Sequence, residues 1–200
     1  MMHPDARLTV VNEKIGVGLI ANKRIPKGTI TWCRDDLDLV LTRKQVKTLP
    51  KLARQTFQKY CTRMNDGDYL LNWDNGRYQN HSCNPTSCLL PGFDCEISLR
   101  DIEEGEQITS DYATYNLSKD SAWACICNEP ACRGSILVED QAERLNELFQ
   151  LVAKAQQYLK LVEQPLDFLT PHFPGNRTMP RYPRTFLTRL RDDLGRRFSK

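Results

Sequence analysis

No apolar run in this 200-residue chain approaches the ~20 residues a bilayer crossing requires, so no membrane-spanning helix is predicted. The first eleven residues lack the long apolar core of a secretory signal. The chain is therefore expected inside the cell, in cytoplasm or nucleus, and not secreted. No internal period of roughly 20–50 residues is present, which excludes a solenoid or propeller. Histidine is scarce at three residues, and no His pair follows the cysteines, which excludes the zinc finger of the Cys₂His₂ type. Collagen-like character and wholesale disorder are excluded by ordinary proportions, 40% hydrophobic and 26% charged. What is left is a folded domain of ordinary size with an appendage.

The formal charge of +3 conceals an asymmetry. Residues 176–200 carry eight basic side chains against Asp192 and Asp193, a net +6, and leave the remainder at −3. Arginines alone attract phosphate without reading bases, so a solvated basic face is the simpler expectation for this tail and weak nucleic-acid contact the alternative.

Short apolar runs at 8–11 and 18–21 flank Asn12 to Gly16, which reads as two strands and a turn. Ile25-Pro26-Lys27-Gly28-Thr29-Ile30 reads as a turn into another strand, and Ile102 to Ile108 repeats the device around Gly105. Thr42 and Gln45 form a capping box for a helix over 42–61, with Val46, Leu49, Leu52, Phe57 and Tyr60 as its apolar candidates and Pro50 dividing it in two. Residues 62–115 return to short strands and loops. A longer helix is predicted from Asp140 to about Val162, capped by Asp140 with Glu143. Five prolines between 165 and 183 favour an extended strap, and a last amphipathic helix is expected over 185–198. The fold class expected is mostly β with α additions.

Eight cysteines are present, and in a reducing compartment metal binding is a better reading of them than disulfides. Cys125, Cys127 and Cys132 form a CxCxxxxC array in one tight loop, one ligand short of a tetrahedral structural zinc. Cys83, after Asn80-His81-Ser82, is the candidate fourth ligand; unligated thiols are the plainer alternative. Cys33, Cys61, Cys88 and Cys95 have no such spacing and read as small buried hydrophobes.

Four segments, taken in order, resemble the SET-domain protein-lysine methyltransferases. They are Gly16-Val17-Gly18-Leu19-Ile20-Ala21, Arg77-Tyr78-Gln79-Asn80-His81-Ser82-Cys83-Asn84-Pro85, Gly105-Glu106-Gln107-Ile108-Thr109-Ser110-Asp111-Tyr112, and the cysteine array with Arg133-Gly134, similar to the family's post-SET zinc loop. Together they cover about residues 8–135.

The resemblance implies a SET fold, small β-sheets around a knot-like crossing of the Asn-His-Ser-Cys and Asp-Tyr segments, with a C-terminal helical extension. It implies S-adenosylmethionine and zinc as cofactors, and a lysine-containing protein, histone tails among the candidates, as substrate. Tyr112 would be the catalytic tyrosine, and Gly16, Val17, Gly18, Asn80 and His81 would contact the methyl donor, with Trp123 covering it. The zinc array would be completed by Cys83. Tyr69, Tyr78 and Tyr115 are channel candidates, since rings attract a methylated cation, although for each of them, as for Trp123, packing is the more usual role of a buried aromatic. Many relatives have Phe or Tyr two residues before the catalytic tyrosine, and here Ser110 stands there, which implies room for di- or trimethyl-lysine. Thr86 replaces a frequent Asn. The expected division is a SET domain over 1–118, a zinc loop over 119–137, a helix over 138–164 and a strap with basic tail over 165–200. No cysteine cluster precedes residue 8, so a small stand-alone enzyme of microbial type is expected. The rival readings are a SET-like zinc-stabilised interaction module without catalysis and a nucleic-acid-binding zinc protein.

Overall fold

The computed structural model describes residues 1–64, 67–115, 123–138 and 141–169. In chain order these hold β1 (Ala6–Asn12), β2 (Gly16–Ala21), β3 (Ile30–Cys33), β4 (Leu39–Leu41), α1 (Arg43–Thr48), α2 (Lys51–Tyr60), β5 (Thr62–Arg63), β6 (Tyr69–Leu71), β7 (Asn80–His81), β8 (Ser87–Leu89), β9 (Cys95–Ser98), β10 (Gln107–Ser110), β11 (Trp123–Ala124), β12 (Ser135–Ile136) and α3 (Gln141–Ala155). The strands form four small sheets, ordered β1-β2-β10-β7, β3-β9-β8, β4-β6-β5 and β11-β12. The architecture is mostly β with helical additions, as the sequence predicts. Among the described residues no helix is long and apolar enough to cross a membrane.

Local sequence accounts for the elements. β1 and β2 pair antiparallel through the turn around Asn12, whose side-chain carbonyl accepts from the Lys14 and Ile15 N–H groups. The two similar turns meet: Ile25 and Ile102 form an antiparallel bridge, both fully buried. Gly28 has φ +89°, and a Cβ there would lie 2.5 Å from the Tyr158 Cβ, so that turn requires glycine twice over. Thr42 and Gln45 form the predicted capping box, and Pro50 separates α1 from α2. Of the five apolar candidates on these helices only Val46 and Phe57 are buried. Leu52 is 76% exposed, because α2 lays one narrow face on the domain.

The first core gathers Ile30, Leu90, Ile97 and Leu99 under Leu148, Val152 and Ala155 of α3. The second packs Leu19, Ile25, Trp32, Ile102 and Ile108 between the larger sheets. α3 ends at Ala155, short of Val162, and a 3₁₀ turn over Gln156–Tyr158 follows. The early stop lets Leu159 and Leu166 fold back into the first core, while Gln164 accepts from the Ile30 N–H and donates to the Gly28 and Leu159 carbonyls. Asp140, most of the proline strap, the helix expected over 185–198 and the basic tail lie outside the described residues.

Cys33, Cys88 and Cys95 are fully buried, as expected of small hydrophobes, whereas Cys61 is only half-buried. The register sets Cys33 opposite Cys95 across β3 and β9, with their sulfurs in hydrogen-bond contact at 2.7 Å. Spacing along the chain gives no hint of that juxtaposition, which the strand register alone creates.

Candidate functional site

The site is assembled where β7 and β10 run side by side in parallel, Thr109 against Asn80 and Ser110 against His81. The Asn-His-Ser-Cys and Asp-Tyr segments are thereby neighbours. Directly after β10, Asp111 caps a single 3₁₀ turn by accepting from the Ala113 N–H at 3.0 Å, which directs Tyr112 back across His81. The Tyr112 N–H donates to His81 Nδ1 at 3.1 Å, and its hydroxyl donates to the Gln79 carbonyl at 2.9 Å. Burial first, then the Glu96 charge, pushes the phenol up to about 12, so it stays protonated at neutral pH.

Tyr112 forms part of the wall of a cavity of about 850 Å³. Tyr69, Tyr115 and Trp123 also line it. The Tyr115 ring lies 5.4 Å from the Tyr112 ring, and the indole of Trp123 stands edge-on to Tyr112 at 6.5 Å. Tyr78 falls outside the lining: its ring packs edge-on to Tyr60 at 5.4 Å. Ser110 sits one layer behind the wall, fully buried, its hydroxyl donating to Glu96 Oε1 at 3.1 Å.

Glu96 is a residue the sequence alone did not single out. Only 3% exposed, its carboxylate lines the cavity and accepts from Gln79 Nε2, the Ser87, Ser110 and Tyr115 hydroxyls, at 2.8, 2.9, 3.1 and 3.3 Å. Burial raises its pKa, and these four donors oppose the rise. A Glu in a strand reading Cys-Glu-Ile-Ser resembles any solvent-facing strand residue, and only the tertiary register turns it inward.

The glycine strand lies on the far side of Asn80. A Cβ on Gly18 would sit 2.4 Å from Asn80 Nδ2, so Gly18 must lack one for that amide to reach the Val17 carbonyl at 3.1 Å and Gln107 Oε1 at 3.2 Å. Both amide hydrogens of Asn80 are thus used within the protein. Beside Gly16, φ +83°, the place of a Cβ is open space. This arrangement fits a ligand lying along the backbone of Gly16 to Gly18 and meeting the Asn80 side chain by its carbonyl.

The cysteine loop folds against the same region. Asn128 takes φ +58°, a conformation asparagine tolerates better than most residues, and so reverses the chain between Cys127 and Cys132. Glu129 accepts from the Ser82 hydroxyl and the Asn84 amide, tying the loop to the Asn-His-Ser-Cys segment. Ligand atoms of His81, Cys83, Cys125 and Cys127 all lie within 4.8 Å of one another, and the Cys83 and Cys125 sulfurs are 3.8 Å apart. Two thiolates on a tetrahedral zinc at about 2.3 Å each are separated by about 3.8 Å, so the pair fits that ion.

Two candidates compete for the fourth position. His81 Nε2 is 3.4 Å from Cys83 Sγ, but Nδ1 accepts the Tyr112 N–H, so in a neutral imidazole Nε2 carries the proton and has no lone pair to offer a metal. Burial lowers the His81 pKa to about 4, against the pull of Asp111 and helped by Arg133 and Arg144, so the ring is neutral. Cys132 lies outside that group of four and touches it through Cys125, whose thiol is pushed up by burial and by side-chain contact with Cys127, Cys132 and Cys83.

Asp111 joins all of these parts. Fully buried, it receives Arg133 Nη2 at 2.7 and 2.9 Å and Arg144 Nε at 2.8 Å. Arg133 also donates to Cys83 Sγ, and Arg144 Nη2 donates to the Cys83 carbonyl at 2.6 Å. Arg133 follows the cysteine array in sequence, whereas Arg144 is one charged residue among several on α3 and carried no signal of its role.

These contacts generate a prediction about Arg144. Replacing it by alanine leaves Asp111 with half its counter-charge, and an expected loss of about 3 kcal/mol follows in urea unfolding. Arg24→Ala, on an exposed ion pair with Asp101, is expected to leave the midpoint where it is. Equal midpoints for the two variants would contradict the assigned role of Asp111.

Residues 16–113 match the family model described as the SET domain. A histone-lysine N-methyltransferase, H3 lysine-36 specific, of Cryptococcus neoformans var. neoformans serotype D is 28% identical over 161 residues, 70% of this chain and 18% of the relative. The histone-lysine N-methyltransferase ash1 of Drosophila melanogaster is 27% identical over 150 residues, 70% of this chain and 6% of the relative. The chain thus spans less than a fifth of the length of either. The methyltransferase domain of human SETMAR aligns over 67% of this chain and 57% of that one, at 19% identity and a TM-score of 0.47.

Proposed function

We propose, from the match of residues 16–113 to the SET-domain family model, that the chain is a protein-lysine methyltransferase that takes its methyl group from S-adenosylmethionine. The observation that carries this reading is the placement of Tyr112, its ring in the cavity wall and its hydroxyl held by the carbonyl next to Asn80. The named activities of the relatives, histone-lysine methylation, support it. The substrate is a lysine in a protein, and a histone tail is the candidate those names suggest. In this proposal the SET domain occupies 1–118, the zinc loop 119–137, the helix 138–164 and the strap with basic tail 165–200.

Gly16, Val17, Gly18, Asn80 and His81 would hold the donor, with Trp123, 46% exposed on β11, covering it. When bound, the donor would supply an electrophilic methyl on a sulfonium: the sulfur would keep the C–S electron pair as a neutral thioether, and the lone pair of an amine that has already lost its ammonium proton to solvent would form the C–N bond. The protein's task is to align, desolvate and neutralise. A lysine amine with a free pKa near ~10.4 is mostly charged at neutral pH, and burial among Tyr69, Tyr112 and Tyr115 favours its neutral form. The neutral Tyr112 phenol acts by position, since its hydrogen is given to Gln79 and its oxygen is left to orient the reacting groups. With Ser110 behind the wall instead of an aromatic, no ring at that position crowds the lysine amine, and on that ground di- or trimethylation is proposed.

Mass spectrometry of methylated lysine products tests both roles. Tyr112→Phe is expected to lower kcat by about 100-fold or more while calorimetry still detects the methyl donor binding. Ser110→Tyr is expected to stop the product ladder at monomethyl-lysine. A Tyr112→Phe variant as fast as the parent would refute the catalytic assignment, and an unchanged ladder would refute the role of Ser110.

Cys83, Cys125, Cys127 and Cys132 are proposed as zinc ligands, supported by the sulfur spacing and by the tautomer that removes His81 from the set. Metal analysis of the purified protein is expected to give one zinc per chain. Cys132→Ser is expected to lose that zinc, whereas His81→Gln retains it. The reverse pattern would assign the fourth position to His81.

A further inference from the structure

The cavity has a charge gradient that the reaction as such does not require. At its floor lies Glu96, the buried carboxylate beside Tyr115. Its walls and mouth carry Arg34, Arg43, Lys59, Arg63 and Arg77. Arg34 is answered by Asp94 at 3.1 Å. Among the described residues, the other four make no ion pair with an acidic side chain. Lys59 and Arg77 lie over the rings of Tyr60 and Tyr78, at 5.1 and 5.3 Å.

Two of these arginines show a further deficit. The Nε groups of Arg63 and Arg77 are buried from solvent and have no hydrogen-bond partner. A buried charged donor left unpaired is costly, so both guanidinium groups, which line the cavity, are short of a partner that an anion entering it could supply to the fork. Guanidinium groups pair best with carboxylates, through parallel N–H···O bonds.

Resting on the methyltransferase reading, we propose that the lysine taken by this site lies in an acidic segment of its protein. Carboxylates flanking the lysine pair with Arg63 and Arg77, with Arg43 and Lys59 attracting them at the mouth, and the ammonium is drawn past this rim to the Glu96 carboxylate. Among the described residues, a lysine on a strongly basic tail meets four cations without an acidic partner before it reaches Glu96, the lining carboxylate that no cation pairs. The cavity therefore selects against such tails by repulsion and for acidic ones by pairing, so this inference departs from the histone tail that the relatives' names suggest and favours an acidic segment of another protein.

The test measures binding and transfer separately on the full chain. Fluorescence anisotropy is read for three labelled peptides with one central lysine each, flanked by Asp and Glu, by Ser and Gly, or by Lys and Arg. The acidic peptide is expected to bind at least about tenfold more tightly than the basic one, and the gap is expected to narrow as salt rises. Arg43→Glu and Lys59→Glu, both at exposed positions, are expected to shrink the preference, and Arg63→Glu to invert it.

Tighter binding of the basic peptide, or a preference that survives all three reversals, overturns the proposal. So does an oligonucleotide that displaces the acidic peptide and depends on the same residues, because the rim would then be a phosphate site. Methyl transfer is scored on the same peptides. Acid-selective binding without transfer to any peptide would count against the enzymatic reading and leave the substrate inference standing, so the two failures are distinguishable.

Discussion

Asp111 is the contact through which the rest of the site is held together. A fully buried carboxylate is tolerable only with strong compensation, and here it receives two arginines and also caps the turn that carries Tyr112. Arg133 comes from the cysteine loop and Arg144 from α3. Three stretches of chain distant in sequence are therefore fixed by one charge. The same two arginines reach Cys83, so the order of the cysteine array and the placement of Tyr112 are coupled.

That coupling gives a physical reason for the helix at the C-terminal end of the described residues. α3 buries Leu148, Val152 and Ala155 in the first core, which sets the angle at which Arg144 approaches Asp111. Gln141, at the start of the same helix, donates to the Ala113 and Tyr115 carbonyls at 2.7 and 2.6 Å. The turn holding Tyr112 is thus braced from its acidic cap and from both carbonyls that follow. In the proposed reading, such bracing keeps the phenol aligned without the cost of ordering it when substrate arrives.

Much of the frame was legible in the sequence because local chemistry dictates it. The capping box at Thr42, the break at Pro50 and the paired turns at Gly28 and Gly105 each rest on a residue whose conformational preference is strong. The close approach of Asn80, His81 and Tyr112 was legible from the resemblance of their segments to the SET family. Less legible was anything created by register. Glu96 faces the cavity, and Cys33 meets Cys95, only because β3, β8 and β9 pair as they do. The exposure of Leu52 and the early end of α3 were hidden for a related reason: periodicity gives an apolar stripe, but the neighbour decides how much of it is covered.

The account is tested most directly by a crystal structure of the chain with S-adenosylhomocysteine and a lysine peptide. It predicts the cofactor sulfur on the Gly16 and Asn80 side, the peptide amine in the cavity on the Glu96 side, and both within about 5 Å of the Tyr112 hydroxyl. A cofactor bound away from the glycine strand, or an amine that does not reach Tyr112, would contradict it.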